Sequence, residues 1–226
     1  MPAAERCLWC GGPLLNGCTI PEMMFADDSL CGVCRSQLTP VSHPVKLGGL
    51  TVRGLVVYDE AFMKMLVQYK ECMDEALQAV FLQPWRDRLR RRYRHFTLVP
   101  MPSSRAKREK RGFDTIPQLF SGLRLPIVEL LEKTEDYVQQ GSAFQRQQAA
   151  SHIRLIPGIP IPDGKLLLID DVLTTGSTLN AAHALLPAAA QALVLAVNQR
   201  FLDVYKRQIQ QLCRSRGRSG FRAERI

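Results

Sequence analysis

Apolar and polar positions alternate in blocks that switch repeatedly between two periods. Thr51 to Tyr58 (TVRGLVVY) has the β-branched, apolar content of a strand, and Ala61 to Lys70 carries Phe62, Leu66 and Tyr69 on one helical face. From Asp74 the helical period resumes, with Leu77, Phe81, Trp85, Leu89 and Tyr93 four residues apart and Pro84 placed to bend or break it. Phe96 to Pro100, Leu125 to Leu131, Leu166 to Ile169 and Ala192 to Val197 read as further short buried strands, and Leu179 to Leu186 as a helix stopped by Pro187. Strands that alternate with helices predict an α/β fold, a parallel sheet covered by helices. The segment from Gly141 to Gly164, with Gln147 and Arg154, is expected to be an irregular flap.

Length and composition narrow the class. The 226 residues allow one domain with an appendage, and 46% hydrophobic with 23% charged residues suits an ordinary globular core. No apolar run is long enough for a membrane span, and the start MPAAERC lacks the pattern of a secretory signal, so a cytoplasmic location is expected. A net charge of +9 suggests an acidic partner, but residues 203–226 hold seven of the basic residues against two acidic ones, more than half of the excess. Asp203 to Gln208 (DVYKRQ) can also be encoded as GAT GTG TAT AAG AGA CAG, which looks like a transposon-end sequencing adapter. The basic tail 203–226 is therefore read as either a translated artefact or a disordered extension, and no function is rested on it.

The amino terminus carries two Cys-x-x-Cys pairs, Cys7 with Cys10 and Cys31 with Cys34, separated by twenty residues. That spacing fits a four-thiolate, structural zinc site, because each pair forms a tight knuckle and two knuckles complete a tetrahedron. Disulfides and a redox-active pair are the competing readings. A module of residues 1–45 is too short to bury a sufficient core, and metal would substitute for one. Cys18 and Cys72 are expected to be buried thiols.

In the carboxy-terminal half, the apolar run Leu166 to Ile169 is followed by Asp170 and Asp171, then Val172 and Leu173, then Thr174-Thr175-Gly176-Ser177-Thr178. Backbone amides in such a loop can converge on an anion at the start of the following helix, with hydroxyls adding uncharged donors. The carboxylates cannot hold phosphate, yet they accept hydrogen bonds from sugar hydroxyls, directly or through hydrated Mg²⁺. The plainer reading is a strand end and a helix cap. Neither a Walker A sequence nor a Gly-x-Gly-x-x-Gly fingerprint is present, so kinase and dehydrogenase readings lack support.

Two cationic stretches lie between these motifs. Arg105, Lys107, Arg108, Lys110 and Arg111 follow the strand ending at Pro100, where α/β folds place ligand loops, and could meet a diphosphate, DNA phosphates or only solvent. Arg86, Arg88, Arg90, Arg91, Arg92 and Arg94 lie among the apolar positions of the second helical stretch, as a solvated surface or a track for single-stranded nucleic acid.

Leu166 to Thr178 resembles the phosphoribosyl-diphosphate (PRPP) signature of type I phosphoribosyltransferases. The order of the cysteine pairs, Tyr58, Lys70 and Asp74, Arg111-Gly112-Phe113, Gln147 and Arg154, and the PRPP loop resembles the ComF family, including GntX-type proteins, over about residues 5–200. The resemblance implies a zinc module at 1–45 and a phosphoribosyltransferase-like domain at 46–202. It implies binding of PRPP with Mg²⁺ by Asp170, Asp171 and residues 172–178, and a role in DNA uptake on single-stranded DNA beside a helicase-like partner. Where the family continues Arg-Gly-Phe with Asn-Gln, this chain has Asp114-Thr115, and Ala150 stands where an aliphatic residue is usual. Two functions follow as expectations. One is a DNA-uptake accessory that uses the fold as an anion pocket. The other is an active Mg²⁺-dependent transferase, with Asp170 and Asp171 as catalytic residues and Arg105 or Lys110 stabilising departing diphosphate.

Overall fold

The computed structural model describes residues 6–25, 29–104, 108–109, 112–133 and 153–203. Its centre is a five-stranded sheet in the order β1 (Val45–Leu47), β2 (Leu50–Val57), β7 (Gln191–Val197), β6 (Lys165–Leu173), β3 (Phe96–Pro100). The last four run parallel and β1 returns antiparallel along β2, making the sheet mixed. A two-stranded antiparallel ribbon pairs β4 (Leu131–Lys133) with β5 (Ile153–Leu155). Leu166, Leu167, Leu168 and Ile169 on β6 are all buried, because both faces of the strand are covered.

Successive residues along the sheet feed two apolar clusters. On one face Leu55, Leu98, Leu167, Ile169 and Leu193 pack with α3 (Glu60–Glu71), α4 (Gln78–Leu82), α5 (Arg86–Arg92) and α6 (Thr115–Phe120). On the other, Val52, Val99, Leu166, Leu168 and Val194 pack with α7 (Ser177–Leu185). Asp59 caps α3 by accepting the Phe62 amide at 3.0 Å. The predicted helix from Asp74 is broken by Pro84 into α4, a 3₁₀ turn at Gln83–Trp85, and α5.

Three segments depart from the sequence pattern. Leu125 to Leu131 makes only an isolated bridge, Ile127 to Leu98, before β4 begins at Leu131. The left-handed Arg124 and the ring of Pro126, which has no amide to donate, limit its pairing. β6 runs through both aspartates to Leu173 instead of ending at Ile169, since β7 continues beside it and pairs Val172 with Ala196 and Leu173 with Val197. In the flap region β5 is regular, and residues 141–152, Gln147 among them, lie outside the described residues.

The cysteine module contains two short helices, α1 (Ile20–Phe25) and α2 (Gly32–Ser36). At the start of α1, Glu22 reaches back to accept the Thr19 amide at 2.7 Å and its hydroxyl at 2.8 Å, the carboxylate half of a capping box. The module is stitched to the sheet domain. Ser29 donates to Gln83 at 3.1 Å, Val41 N–H donates to the Leu55 carbonyl at 2.9 Å, and Val57 N–H donates to that of Thr39 at 2.8 Å. Cys7, Leu30, Cys31, Cys34 and Leu38 join the same apolar cluster as Phe62 and Phe81.

Candidate functional sites

Cys7 and Cys10 sit on a knuckle closed by the Cys7 amide donating to Gly12 at 2.8 Å and the Gly11 amide to Cys7 at 2.9 Å. Cys31 precedes α2 and Cys34 lies within it. A side chain at Gly32 would run into the Gly17 carbonyl, so the second knuckle requires glycine there. The four sulfurs all lie within 4.8 Å of one another, and Cys10 and Cys31 are 3.8 Å apart. A tetrahedral zinc–thiolate centre with Zn–S of about 2.3 Å places its sulfurs about 3.8 Å apart, so the donor set could hold this metal. Electrostatics agree. Burial pushes the Cys31 and Cys34 thiols up, while amides of Cys10, Cys31 and Trp9 outweigh burial at Cys7 and bring it to about 7. A cation is what would let all four ionise together. The other two thiols differ from expectation: Cys72 is exposed where α3 ends, and Cys18 is half-buried with its Sγ donating to the Leu14 carbonyl at 3.3 Å.

A second site forms where β6 and β3 reach their carboxyl ends. Lys70 from α3, Met101 to Ser104 after β3, Thr115 and Ile116 from α6, Lys133 from β4, Asp170 and Asp171 from β6 and Thr178 from α7 line a cleft of about 230 Å³. Asp171 forms an ion pair with Lys70, and both side chains are largely sheltered. Asp170 accepts the Asp171 amide at 2.9 Å. Burial pushes its carboxyl up to about 7, opposed by Lys70 and Lys133. The cleft thus holds two aspartate carboxyl groups together with two lysine side chains.

Beside them the chain turns through Thr174 and Thr175 to Gly176, which precedes α7 with φ +76°. The amides of Thr174, Thr175 and Gly176 find no backbone acceptor among the described residues. The Thr175 and Ser177 hydroxyls bond each other at 2.9 Å, and the Ser177 amide approaches Thr175 Oγ1 at 3.4 Å. Polar hydrogens at a helix start, with no carboxylate bonded to them among the described residues, suit a bound anion. Val172 and Leu173 contribute differently, since Leu173 is buried in the apolar cluster on one sheet face and Val172 packs, partly buried, against the cluster on the other.

Of the cationic stretch, Arg105, Lys107, Lys110 and Arg111 lie outside the described residues. Arg108 faces carboxylates, at 3.6 Å from Asp114 and 3.9 Å from Glu129. Asp114 also accepts the Ser103 hydroxyl at 3.3 Å, and Arg154 binds Glu132 at 2.8 Å. Arg90 and Arg91 are exposed on α5 and do not line the cleft. Lys133, Ser103 and Ser104 line the cleft without having been picked out by sequence, and Thr115, noted there only as a departure from the family pattern, lines it too. The Ser103-Ser104 pair had a signal in its place just after a buried strand, whereas nothing local marked Lys133.

The Asp170 shift gives a first expected outcome. A carboxyl whose folded value is about 7 keeps a proton that the unfolded chain has lost above about pH 4, so stability falls between those limits as pH rises. Asp170→Asn removes that cost. Thermal unfolding of the ligand-free protein should show the variant stabilised by about 1 to 2 kcal/mol at about pH 8, and by less at about pH 5.

Comparison with known proteins places these features beside related chains. No family model matches. The chain is similar to competence protein ComFC of Streptococcus pneumoniae (strain ATCC BAA-255 / R6), with 27% identity over 209 residues covering 81% of this chain and 94% of that one. Among solved structures, a hypoxanthine phosphoribosyltransferase from Staphylococcus aureus aligns at TM-score 0.35 and 16% identity, over 55% of this chain and 64% of that chain. An adenine phosphoribosyltransferase from Leishmania tarentolae aligns at TM-score 0.34 and 16% identity, over 70% of this chain and 95% of that chain. Within the described residues no helix is long and apolar enough to cross a membrane.

Proposed function

We propose that the cleft binds PRPP with Mg²⁺, and that the protein serves DNA uptake in a competence role like that in the name of its relative. The carrying observation is the juxtaposition of Asp170 and Asp171 with a loop in which the amides of Thr174, Thr175 and Gly176 have no backbone acceptor among the described residues, at one end of one strand. Residues 174–178 would receive the 5′-phosphate, Asp170 and Asp171 the ribose hydroxyls, and Lys70 and Lys133 the side where diphosphate lies. Asp170 and Asp171 are oxygen donors of the kind Mg²⁺ takes, directly or through its waters, so the residues fit this ion. When bound, Mg²⁺ would neutralise charge on the diphosphate. Lys70 already neutralises Asp171, and ligand binding would exchange that partner for the sugar. The cysteine cluster is proposed to hold structural zinc.

Single-stranded DNA and a helicase-like protein are proposed partners. Arg90 and Arg91 supply exposed charge for a strand, and binding through them should weaken with salt. Active phosphoribosyl transfer is the second reading, favoured by the same cleft. The acceptor side differs from the family pattern at Asp114-Thr115, and Asp114 is engaged by Ser103 and Arg108 and does not line the cleft. Thermal shift with PRPP and Mg²⁺ tests the binding proposal: a ligand at a hundred times its Kd adds about 2.7 kcal/mol of stability. No shift at millimolar PRPP would refute it. Release of diphosphate only when a particular base is added would identify a transferase.

A further inference from the structure

The sheet edge carries a second pocket that shares no lining residue with the cleft. It encloses about 240 Å³ between α5, the middle of β2 and the linker at Pro40 to Ser42, and its polar walls are Arg53, Arg88 and Arg92 with Trp85 beside them. Helical spacing explains the grouping. Leu89 is buried, and residues 85, 88 and 92 lie on one flank of it, while Arg90 and Arg91 point away. Arg53 projects from β2 on the same sheet face as Leu55.

Convergence distinguishes this pocket from a solvated arginine surface. Arg88 and Arg92 are exposed like Arg90 and Arg91, yet of these four only Arg88 and Arg92 line the cavity, together with the half-buried Arg53 and Trp85. Arg53, Arg88 and Arg92 have no carboxylate in the pocket lining and no ion pair among the described residues. Three like charges around one small cavity repel each other until an anion enters. Guanidinium forks match phosphate oxygens two at a time, and a half-buried indole offers an aromatic face to a base.

We propose that this pocket binds one nucleotide unit, its phosphate on Arg53, Arg88 and Arg92 and its base against Trp85. The unit is either a free mononucleotide or one residue of a single strand, which share this chemistry. The linker wall would then join the cysteine module to the bound nucleotide. The site rests on neither the ligand of the cleft nor the outward Arg90 and Arg91.

Calorimetry on the full zinc-loaded chain, with AMP in one arm and an oligothymidylate in the other, tests it. Arg88→Gln/Arg92→Gln should weaken whichever probe binds by roughly tenfold or more, and flatten the salt dependence of strand binding by up to about 0.7 in log–log slope, the contribution of one phosphate. The charge-matched Arg124→Gln/Arg200→Gln should change affinity less than about twofold. Binding of AMP identifies a free nucleotide, and binding of the strand alone identifies a strand unit. Phenylglyoxal modification of the unmutated protein gives a readout independent of variant folding, since bound probe should protect Arg88 and Arg92. Equal weakening by the two double variants, absence of protection, or failure of both probes to bind overturns the proposal. Because AMP can also enter the cleft, its displacement by PRPP with unchanged reactivity of Arg88 and Arg92 counts against the pocket while supporting the cleft.

Discussion

Removing the zinc proposed for the cysteine cluster, or replacing Cys31 with serine, is expected to unfold residues 6–38 and lower the stability of the whole chain. The module's buried hydrophobic residues are Cys7, Leu30, Cys31, Cys34 and Leu38, whereas Leu15, Ile20, Met23, Met24 and Val33 are exposed. So small a core cannot offset the chain entropy of more than thirty residues at about 1 to 2 kcal/mol each, while structural zinc supplies apparent binding energy on the order of 10 kcal/mol. Damage should spread, because Cys7, Cys31 and Cys34 belong to the cluster that includes Phe62 and Phe81. Limited proteolysis with and without a strong chelator, with released zinc assayed by a chromophore, provides the measurement. Expected are one zinc released per chain and cleavage within 6–38. A metal-free protein with unchanged proteolysis would contradict the zinc proposal.

The second large effect is expected at Gly176. Its φ of +76° is a left-handed conformation that costs a side-chain-bearing residue about 1 to 2 kcal/mol. An added Cβ would also lie 2.5 Å from Leu47 Cδ2 and 2.8 Å from Cδ1, the far end of a half-buried side chain that must swing aside, at a cost near the low end of overpacking, about 1 kcal/mol. Gly176→Ala should therefore lose about 2 to 3 kcal/mol, or roughly 4 to 12 °C in Tm for a chain of this size. Relief of the overlap would shift the turn that aims the loop amides, so PRPP affinity should fall at least about tenfold where the variant remains folded. Thermal unfolding and PRPP titration report the two effects separately. A variant with unchanged Tm and unchanged binding would show that the loop is not built as described.

The sheet's parallel strands were legible because four of them are short apolar runs separated by helical periods, and buried strands leave that mark whatever their neighbours. β1 was missed. Val45-Lys46-Leu47 is only three residues long, and the following Gly48-Gly49 was the available hairpin signal. The extension of β6 through Asp170 and Asp171 could not be read locally, since it depends on pairing with β7, distant in sequence. At the candidate sites, the cysteine spacing and the residues of the loop were visible as patterns. Of the cleft's cations, Lys70 was named only within the resemblance and Lys133 not at all, because the two arrive from separate elements. Arginine in quantity was equally visible, but Arg88 and Arg92 differ from Arg90 and Arg91 only in which side of Leu89 they occupy, a distinction fixed by tertiary packing.

The central proposal, that the loop and the paired aspartates hold a phosphoribosyl ligand, is tested most directly by calorimetric titration of the full, metal-loaded chain with PRPP and Mg²⁺, alongside Asp171→Asn. Expected is one binding event per chain that requires Mg²⁺ and is weakened roughly tenfold or more by the substitution, about 1.4 kcal/mol. Heat indistinguishable from dilution in the folded protein, or equal affinity in the variant, would contradict it.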